Sequence, residues 1–221
     1  MEKYLSLLKD TLLFSGIDDD EILEMMKCLN AKIADYPKDA YIVREGDQVD
    51  NLGLVLSGNA LIIKEDFWGR RNIISGVGVG QCFAETFACA SGSILNVSVV
   101  TQTPCKIMFL NVKRMLSFDP ENGNHNSRIV RNLLSDIANK NIYFSEKLSH
   151  LGQKNTREKL LSYLSAESLR HHSREFQIPF SRQQLADYLC VDRSGLSAEL
   201  GRMQKEGILE FNRNKFRLNG L

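Results

Sequence analysis

The stretch of residues 180–203 constrains the fold more than any other part of the chain. Ser181 followed by Gln184 has the form of a capping box, which predicts that a short helix begins here. Asp192 can cap a second helix after a tight turn. Ala186 lies on the inner face of the first helix, where a small side chain lets the second helix cross closely at a steep angle. The pattern therefore predicts two short helices joined by a tight turn.

The second of these helices is predicted to be amphipathic. Its buried face carries apolar residues at positions i, i+4 and i+7, namely Leu196, Leu200 and Met203. Its opposite face carries polar side chains that can reach the edges of nucleic-acid bases, namely Arg193, Ser194 and Ser197. Two helices with this pattern also occur for purely structural reasons, and that alternative stays open at this point.

A β-hairpin with a basic tip is predicted directly after the two helices. Residues 207–211 and 215–218 alternate in polarity on either side of Asn212-Arg213-Asn214. Two helices followed by such a hairpin form a winged helix. From Gly152 onward the chain has 12 Lys and Arg against 8 Asp and Glu, a net charge of +4, whereas the preceding part has 16 against 19, a net charge of −3. A basic C-terminal third is a weak nucleic-acid signal that gains weight from the motif.

Short β runs separated by glycines occupy residues 31–111. Strands at this density indicate a β-sandwich or barrel. Before them, residues 4–29 show apolar residues at helical spacing, with a helix start signal at Asp18-Asp19-Asp20. The predicted fold class is therefore α+β, with an N-terminal β-roll or jelly-roll domain and a C-terminal winged helix-turn-helix.

A long helix without a breaker is predicted between these two parts. Seven residues on it follow a 4-3 spacing, the pattern of a helix that packs on a partner helix: Val130, Leu134, Ile137, Asn141, Phe144, Leu148 and Leu151. The single polar member, Asn141, would set register and oligomeric state. Packing on the same chain is the alternative, and we expect Ile129 and Leu133, which lie off the seam, to contact the β domain.

The helix is predicted to end at Gly152, and Asn155 with Glu158 predicts the start of the next one. This break is a natural hinge between domains. The predicted boundaries are residues 1–118 for the β domain with its N-terminal helices, 119–151 for a loop and the long helix, and 152–221 for the winged helix. Residues 119–126 are predicted to form the loop.

The order of β domain, long helix and winged helix resembles the CRP/FNR family of bacterial transcription regulators over nearly the whole chain. The C-terminal motif is specific, and scattered positions of the β domain also match, namely Arg44-Glu45-Gly46-Asp47, Leu56-Ser57-Gly58, Gly80 and Phe83-Ala84-Glu85. The resemblance implies that the roll binds a small effector, that the long helices form a homodimer, and that effector binding reorients the DNA-binding domains. It also implies double-stranded DNA with a two-fold symmetric operator and RNA polymerase as partners.

The resemblance assigns roles to individual residues of the winged helix. Arg193, Ser194 and Ser197 match base-reading positions, and Ser181 and Arg182 match phosphate-contacting positions. Arg202, Arg213 and Lys215 complete the predicted DNA-contacting set. For Arg193 a phosphate contact or an ion pair with Asp192 or Glu199 stays open. Two departures matter: Cys190 occupies a turn position that is often Gly, and Ala198 stands where many members have a base-contacting Arg, so no operator can be copied from them.

The predicted effector pocket combines residues of the roll with residues of the long helix, namely Phe83, Glu85, Thr86, Val97, Ser98, Asn141, Phe144 and Ser145. Glu85 fits the ribose-binding Glu of cyclic-nucleotide members, with a structural carboxylate as the alternative. No Lys or Arg occurs between Asn72 and Cys105, and a buried phosphate without a cationic partner is costly. The resemblance also places Phe144 where the cAMP-binding members have a Thr that contacts the adenine. We therefore do not expect cAMP to be the effector, whose identity stays unknown.

Cofactor chemistry finds little support in the sequence. An iron–sulfur cluster needs four thiolates, and only Cys28 precedes the roll, so we expect no cluster. Haem, and redox sensing through Cys82, Cys89 or Cys105, stay open. No nucleophile with its base is visible, so we do not expect an enzyme.

The absence of a signal-peptide core and of a transmembrane-length apolar run predicts a cytoplasmic protein with no membrane partner. The function expected from the sequence is a sequence-specific, effector-responsive, homodimeric DNA-binding transcription regulator. The alternative is a ligand-binding β-roll protein whose C-terminal region mediates protein interaction.

Overall fold

The computed structural model describes residues 2–68, 71–90, 92–117 and 125–219. The chain forms two compact units, an N-terminal unit of residues 1–139 and a C-terminal unit of residues 140–221. Both contain helices and antiparallel sheets, which confirms the predicted α+β class. Among the described residues, no helix combines the length and the apolar character needed to cross a membrane.

A 3-10 helix and two α-helices precede the β-roll, in the segment where the sequence predicts N-terminal helices. A 3-10 helix, Glu2–Tyr4, leads into α1, Leu5–Lys9, and α2 follows at Asp19–Cys28. The chain turns between α1 and α2 because the hydroxyl of Thr11 donates to the carbonyl of Leu8 (2.6 Å) and Gly16 adopts a left-handed φ of 71°. Helix α2 then begins at the predicted Asp18 signal, whose amide donates to the carboxylate of Glu21 (3.4 Å).

The β-roll consists of two four-stranded antiparallel sheets, with the orders β1-β8-β3-β6 and β2-β7-β4-β5. The strands are β1 Lys32–Tyr36, β2 Tyr41–Val43, β3 Asn51–Ser57, β4 Ala60–Glu65, β5 Arg71–Val77, β6 Cys82–Phe83, β7 Ser98–Thr101 and β8 Cys105–Asn111. Short helices α3, Glu85–Cys89, and α4, Val112–Leu116, follow β6 and β8. The roll predicted from the sequence is thereby confirmed.

Both faces of strand β3 are covered by apolar side chains. One face belongs to the interior of the roll, where Val55, Phe83 and Ile107 are buried together. The other face packs on the N-terminal helices, where Leu52 and Leu54 join the second apolar cluster of this unit. Burial on both faces explains why the sequence of this strand is a continuous apolar run rather than an alternating one.

Helix α5, His125–Leu151, is the long helix predicted from the sequence. Ile129 and Leu133 are buried in the cluster with the N-terminal helices, as expected for the flank that contacts the β domain. Leu134 and Leu148 of the seam are 61% and 68% exposed. Most of the predicted loop 119–126 lies outside the described residues, and His125 and Asn126 belong to α5.

The C-terminal unit contains the end of α5, three further helices and a three-stranded sheet. These elements are α6 Thr156–Arg170, β9 Glu175–Gln177, α7 Arg182–Tyr188, α8 Arg193–Lys205, β10 Leu209–Asn212 and β11 Lys215–Leu218, with the sheet order β10-β11-β9. Helix α5 ends at Leu151, directly before the predicted breaker Gly152. The compact unit nevertheless includes residues 140–151, whereas the sequence placed the boundary at residue 152.

Candidate nucleic-acid interface

Local hydrogen bonds build helix α7 as the sequence predicts. The hydroxyl of Ser181 accepts from the amide of Gln184 (3.3 Å), and the side-chain oxygen of Gln184 accepts from the amide of Ser181 (2.8 Å). Ala186 is fully buried in the same apolar cluster as Leu196 and Leu200 of α8. The hydroxyl of Ser181, a predicted phosphate contact, is therefore already engaged as the cap of α7.

The turn between α7 and α8 has a residue at its centre that is unusual for this conformation. Cys190 has a left-handed φ of 51°, a conformation that glycine adopts without steric cost. The carboxylate of Asp192 then accepts from the amide of Gly195 (2.8 Å) and from the hydroxyl of Ser194. These hydrogen bonds, the Ser194 hydroxyl first, lower the pKa of Asp192. The cap of α8 is thus as predicted, and Ser194 is bound to it.

Helix α8 presents one face to the core and another to solvent. Leu196, Leu200 and Met203 are fully buried, as the sequence predicts. At 100° per residue, the centre of the opposite face carries Ser194, Ala198 and Lys205, all of which are exposed. Ser197 lies on one side of this centre and Arg202 on the other. Arg193 precedes Leu200 by seven residues, so it lies on the side of the apolar stripe, and it is exposed there because it is the first residue of the helix. The face is shallow at its middle because the side chain of Ala198 is small.

Arg202 takes part in an ion-pair network within the domain. Its Nη1 lies 2.7 Å from Oε2 of Glu199, a carboxylate that is buried. Arg157 lies 3.5 Å from the other oxygen of Glu199 and also pairs with Glu206. Arg202 therefore offsets the charge of a buried carboxylate, which gives it a structural role beside any contact with DNA.

Arg193 and Ser197 are both exposed near the start of α8. Among the described residues, no ion pair joins Arg193 to Asp192 or Glu199. The carboxylate of Asp192 instead accepts from Ser194 and Gly195. The carboxylate of Glu199 pairs with Arg157 and Arg202. Arg193 is thus an exposed residue of the first turn of α8 and has no ion pair to either carboxylate.

The wing is the hairpin of β10 and β11. Its two-residue turn is Arg213-Asn214, one residue shorter than predicted, because Asn212 pairs with Lys215 in the sheet. Arg213 and Lys215 are exposed, as a basic tip requires. Strand β9, which the sequence did not predict, pairs with β11 and completes the sheet under the wing.

Arg182, the other predicted phosphate contact, is directed toward the wing. Its Nη2 donates to the main-chain carbonyl of Arg213 (2.9 Å), and its guanidinium carbon lies 4.9 Å from the ring centre of Phe211. Burial lowers the pKa of Arg182. The structure thus places Arg182 in a contact that sequence reasoning did not identify.

Aromatic side chains join the end of α5 to the helix-turn-helix. Tyr188 of α7 has ring neighbours on α5 and α6, at centroid distances of 6.2 Å to Tyr143, 6.4 Å to His150 and 5.4 Å to Tyr163. Nδ1 of His150 also lies 2.7 Å from the hydroxyl of Ser162. Burial lowers the pKa of His150, and these contacts account for including the end of α5 in the C-terminal unit.

The predicted effector residues of the N-terminal unit differ widely in exposure. Phe83 is buried inside the roll, Glu85 is buried at the first position of α3, and Thr86 is exposed. Val97 is half-buried and precedes β7, and the hydroxyl of Ser98 accepts from the amide of Glu45 (2.9 Å).

The remaining predicted effector residues belong to the C-terminal unit. Asn141 and Ser145 are exposed on α5, and Phe144 is half-buried beside Tyr143 at a centroid distance of 5.5 Å. The effector role of these eight residues stays a prediction.

The cysteines of the roll have differing environments. Cys82 and Cys105 are buried, and the thiol of Cys105 donates to the carbonyl of Asn59 (3.2 Å). Burial raises the pKa of Cys89, and the charge of Glu85 adds to the shift. Among the described residues, no group of three or more His, Cys, Asp or Glu side chains could hold a metal ion.

Comparison with known proteins agrees with this architecture. Residues 33–119 match the model of the cyclic nucleotide-binding domain, and residues 158–220 match the model of the Crp-like helix-turn-helix domain. The cAMP-activated global transcriptional regulator CRP of Haemophilus influenzae is 27% identical over 89 residues, which make up 39% of this chain and 40% of that protein. The match therefore spans less than half the length of this relative.

Solved structures show the same fold at low identity. The c-di-GMP responsive global regulator CLP of Xanthomonas campestris is 22% identical, with a TM-score of 0.61 over 92% of this chain and 100% of that one. The sensor domain of the transcriptional regulator DNR of Pseudomonas aeruginosa is 17% identical, with a TM-score of 0.52 over 62% of this chain and 88% of that one. With a cyclic nucleotide-binding domain followed by a Crp-like helix-turn-helix, this chain belongs to the CRP/FNR family of transcription regulators.

Proposed function

We propose that this protein is a sequence-specific DNA-binding transcription regulator that acts as a homodimer and responds to a small effector other than cAMP. The observation that carries DNA binding is helix α8, capped at Asp192 and seated on a buried apolar face, with Arg193 and Ser197 exposed near its start. A helix of this kind fits the major groove, where an Arg side chain can bind guanine through two hydrogen bonds.

The proposed dimer is parallel along α5. Leu134 and Leu148 belong to one heptad seam and are exposed in the single chain, so a second copy of the helix would remove their apolar surface from water. A two-fold dimer presents one α8 to each half of a symmetric operator. The half-sites are then expected about 34 Å apart, one turn of DNA.

We propose that the effector is not cAMP because the residues that a cyclic phosphate would contact do not suit it. No Lys or Arg occurs between Asn72 and Cys105, and the hydroxyl of Ser98 is bound to the amide of Glu45. A phosphate buried there would lack a charged donor, which is unfavourable. We also propose that the protein holds no iron–sulfur cluster. We propose that it acts in the cytoplasm and that the DNA-bound dimer contacts RNA polymerase.

Fluorescence anisotropy of the full chain on labelled duplex DNA tests this proposal. We expect the affinity to fall steeply with salt, and Arg193→Ala to reduce discrimination between a selected site and random duplex by about 1–3 kcal/mol. Arg174→Ala, which removes an exposed arginine of the same unit outside the predicted interface, is the control and should leave that discrimination unchanged. Absence of DNA binding at low salt would contradict the proposed function. Equal loss of specific and random binding on Arg193→Ala would instead make Ser194 or Ser197 the better candidate for base reading.

A further inference from the structure

The turn of the wing keeps an arginine where its backbone is strained. Arg213 has a φ of 55°, a left-handed conformation that glycine adopts readily and a longer side chain does not. Its side chain is nevertheless exposed, and Lys215 beside it is also exposed. Strain held at one residue often marks a position where function needs that side chain. The wing therefore presents Arg213 outward from a defined turn.

Both residues of this turn are fixed from the body of the domain. The side-chain amide of Asn214 donates to the carbonyl of Ile178 (3.1 Å), and the amide of Ile178 donates to the carbonyl of Asn214 (3.0 Å). The carbonyl of Arg213 accepts from Nη2 of Arg182 (2.9 Å). Arg182 supplies the contact that holds Arg213 from the side of α7.

Stacking fixes the guanidinium of Arg182 in the orientation that this hydrogen bond needs. Its carbon lies 4.9 Å from the ring centre of Phe211 and 5.7 Å from that of Phe216. These two rings are a cross-strand pair, stacked 6.0 Å apart, and Phe176 follows in the next strand at 6.3 Å from Phe216. Arg182 thus closes a row of three phenylalanines that crosses the whole sheet.

We propose that Arg182 is a positioning residue for the wing, which holds the backbone of Arg213 so that the Arg213 side chain meets the DNA phosphates. This role replaces the phosphate contact that the sequence resemblance implied for Arg182, and it rests on the proposed DNA-binding function. A lysine at this position keeps the charge but lacks the planar, stacking fork that joins the rings and the carbonyl. The distinction between charge and shape makes the role testable.

The test is a double-mutant cycle in the full chain, read by anisotropy on duplex DNA at several salt concentrations. We expect Arg213→Ala to make the salt slope shallower by about 1, the loss of one phosphate contact. Arg182→Ala and Arg182→Lys should both weaken binding, and Arg182→Ala should add less than about twofold when Arg213 is already Ala, because coupled residues are not additive. Arg174→Ala serves as the control.

A second readout needs no DNA. Hydrogen exchange of residues 211–216 in the free protein should accelerate in both Arg182 variants, while residues 193–205 of α8 keep their protection. Unchanged exchange at the wing would overturn the anchoring. Wild-type affinity of Arg182→Lys, together with additive effects of Arg182→Ala and Arg213→Ala, would show that Arg182 contacts phosphate itself. If the wild-type chain binds no DNA, the proposed function fails, whereas the exchange measurement still reports on the anchor.

Discussion

In the interior of the β-roll, whether a methyl group at Gly53 stabilises or destabilises the fold should depend on the neighbouring side chain of Phe83. Gly53 on β3 lies opposite Phe83 on β6, and a Cβ at Gly53 would lie 2.5 Å from Cε1 and 2.6 Å from Cε2 of the Phe83 ring. Real Cβ atoms do not approach a ring so closely. Gly53→Ala must therefore displace the ring or the strand, at a cost of about 1–3 kcal/mol typical of overpacked cores.

The same substitution should become favourable once the ring is removed. Phe83→Ala alone should cost about 3–5 kcal/mol because it deletes a fully buried ring. In that background a methyl group at Gly53 fills vacated space and restricts the unfolded chain, which stabilises by about 0.4–1 kcal/mol. The two changes should then couple by roughly 1.4–4 kcal/mol, because the cost of Gly53→Ala with the ring present and its gain without the ring add in the cycle.

Urea unfolding of the four proteins measures this cycle. Far-UV circular dichroism at one fixed protein concentration is the suitable probe, because the single tryptophan, Trp68, is 78% exposed and reports poorly on the core. The unfolding transition of the N-terminal unit is identified as the one that Phe83→Ala shifts. If that variant is unfolded in water, an added osmolyte stabilises the folded state of all four proteins enough to measure it. If Gly53→Ala costs less than about 0.5 kcal/mol with Phe83 present, or the same in both backgrounds, the ring has room to move. Phe83 would then line an open pocket rather than fill the core.

Three further predictions follow from the seam, the effector residues and the aromatic contacts. Leu134→Glu with Leu148→Glu should convert a dimer into monomers in sedimentation at micromolar concentration, and a monomeric wild type would contradict the seam. Calorimetry should detect no binding of cAMP or cGMP, and micromolar affinity would overturn the proposed effector class. Because burial lowers the pKa of His150, the folded state favours its neutral form, so stability should be complete above the ordinary value of 6.5 and should fall as the pH drops through the lowered pKa. His150→Gln should flatten this part of the stability profile, and an unchanged profile would exclude His150 as its cause.

Local chemistry explains which parts of the C-terminal unit were predictable from sequence. The caps at Ser181 and Asp192 depend on residues three positions apart, so the start of each helix is visible in the chain itself. The buried residues of α8 repeat at helical spacing, and the heptad pattern of α5 revealed its length. These signals need no knowledge of distant contacts.

Contacts between distant residues account for what the sequence did not reveal. Arg182 meets a carbonyl 31 residues away, and nothing in its immediate neighbours distinguishes that use from a phosphate contact. Strand β9 has three residues with only Phe176 buried, too short for an alternating pattern. Tyr143 and His150 carry no signal that α7 is their neighbour, so the sequence placed the domain boundary at the helix break instead.

Selection from a random duplex library with the purified full chain shows whether the protein reads DNA as a two-fold dimer. We predict enrichment of a two-fold symmetric site whose half-sites lie about one helical turn apart. Arg193→Ala should lose the preference at one symmetric base pair while keeping the spacing. No enrichment by the wild-type chain at low salt, or enrichment of sites without two-fold symmetry, would contradict a dimeric regulator that reads DNA through α8.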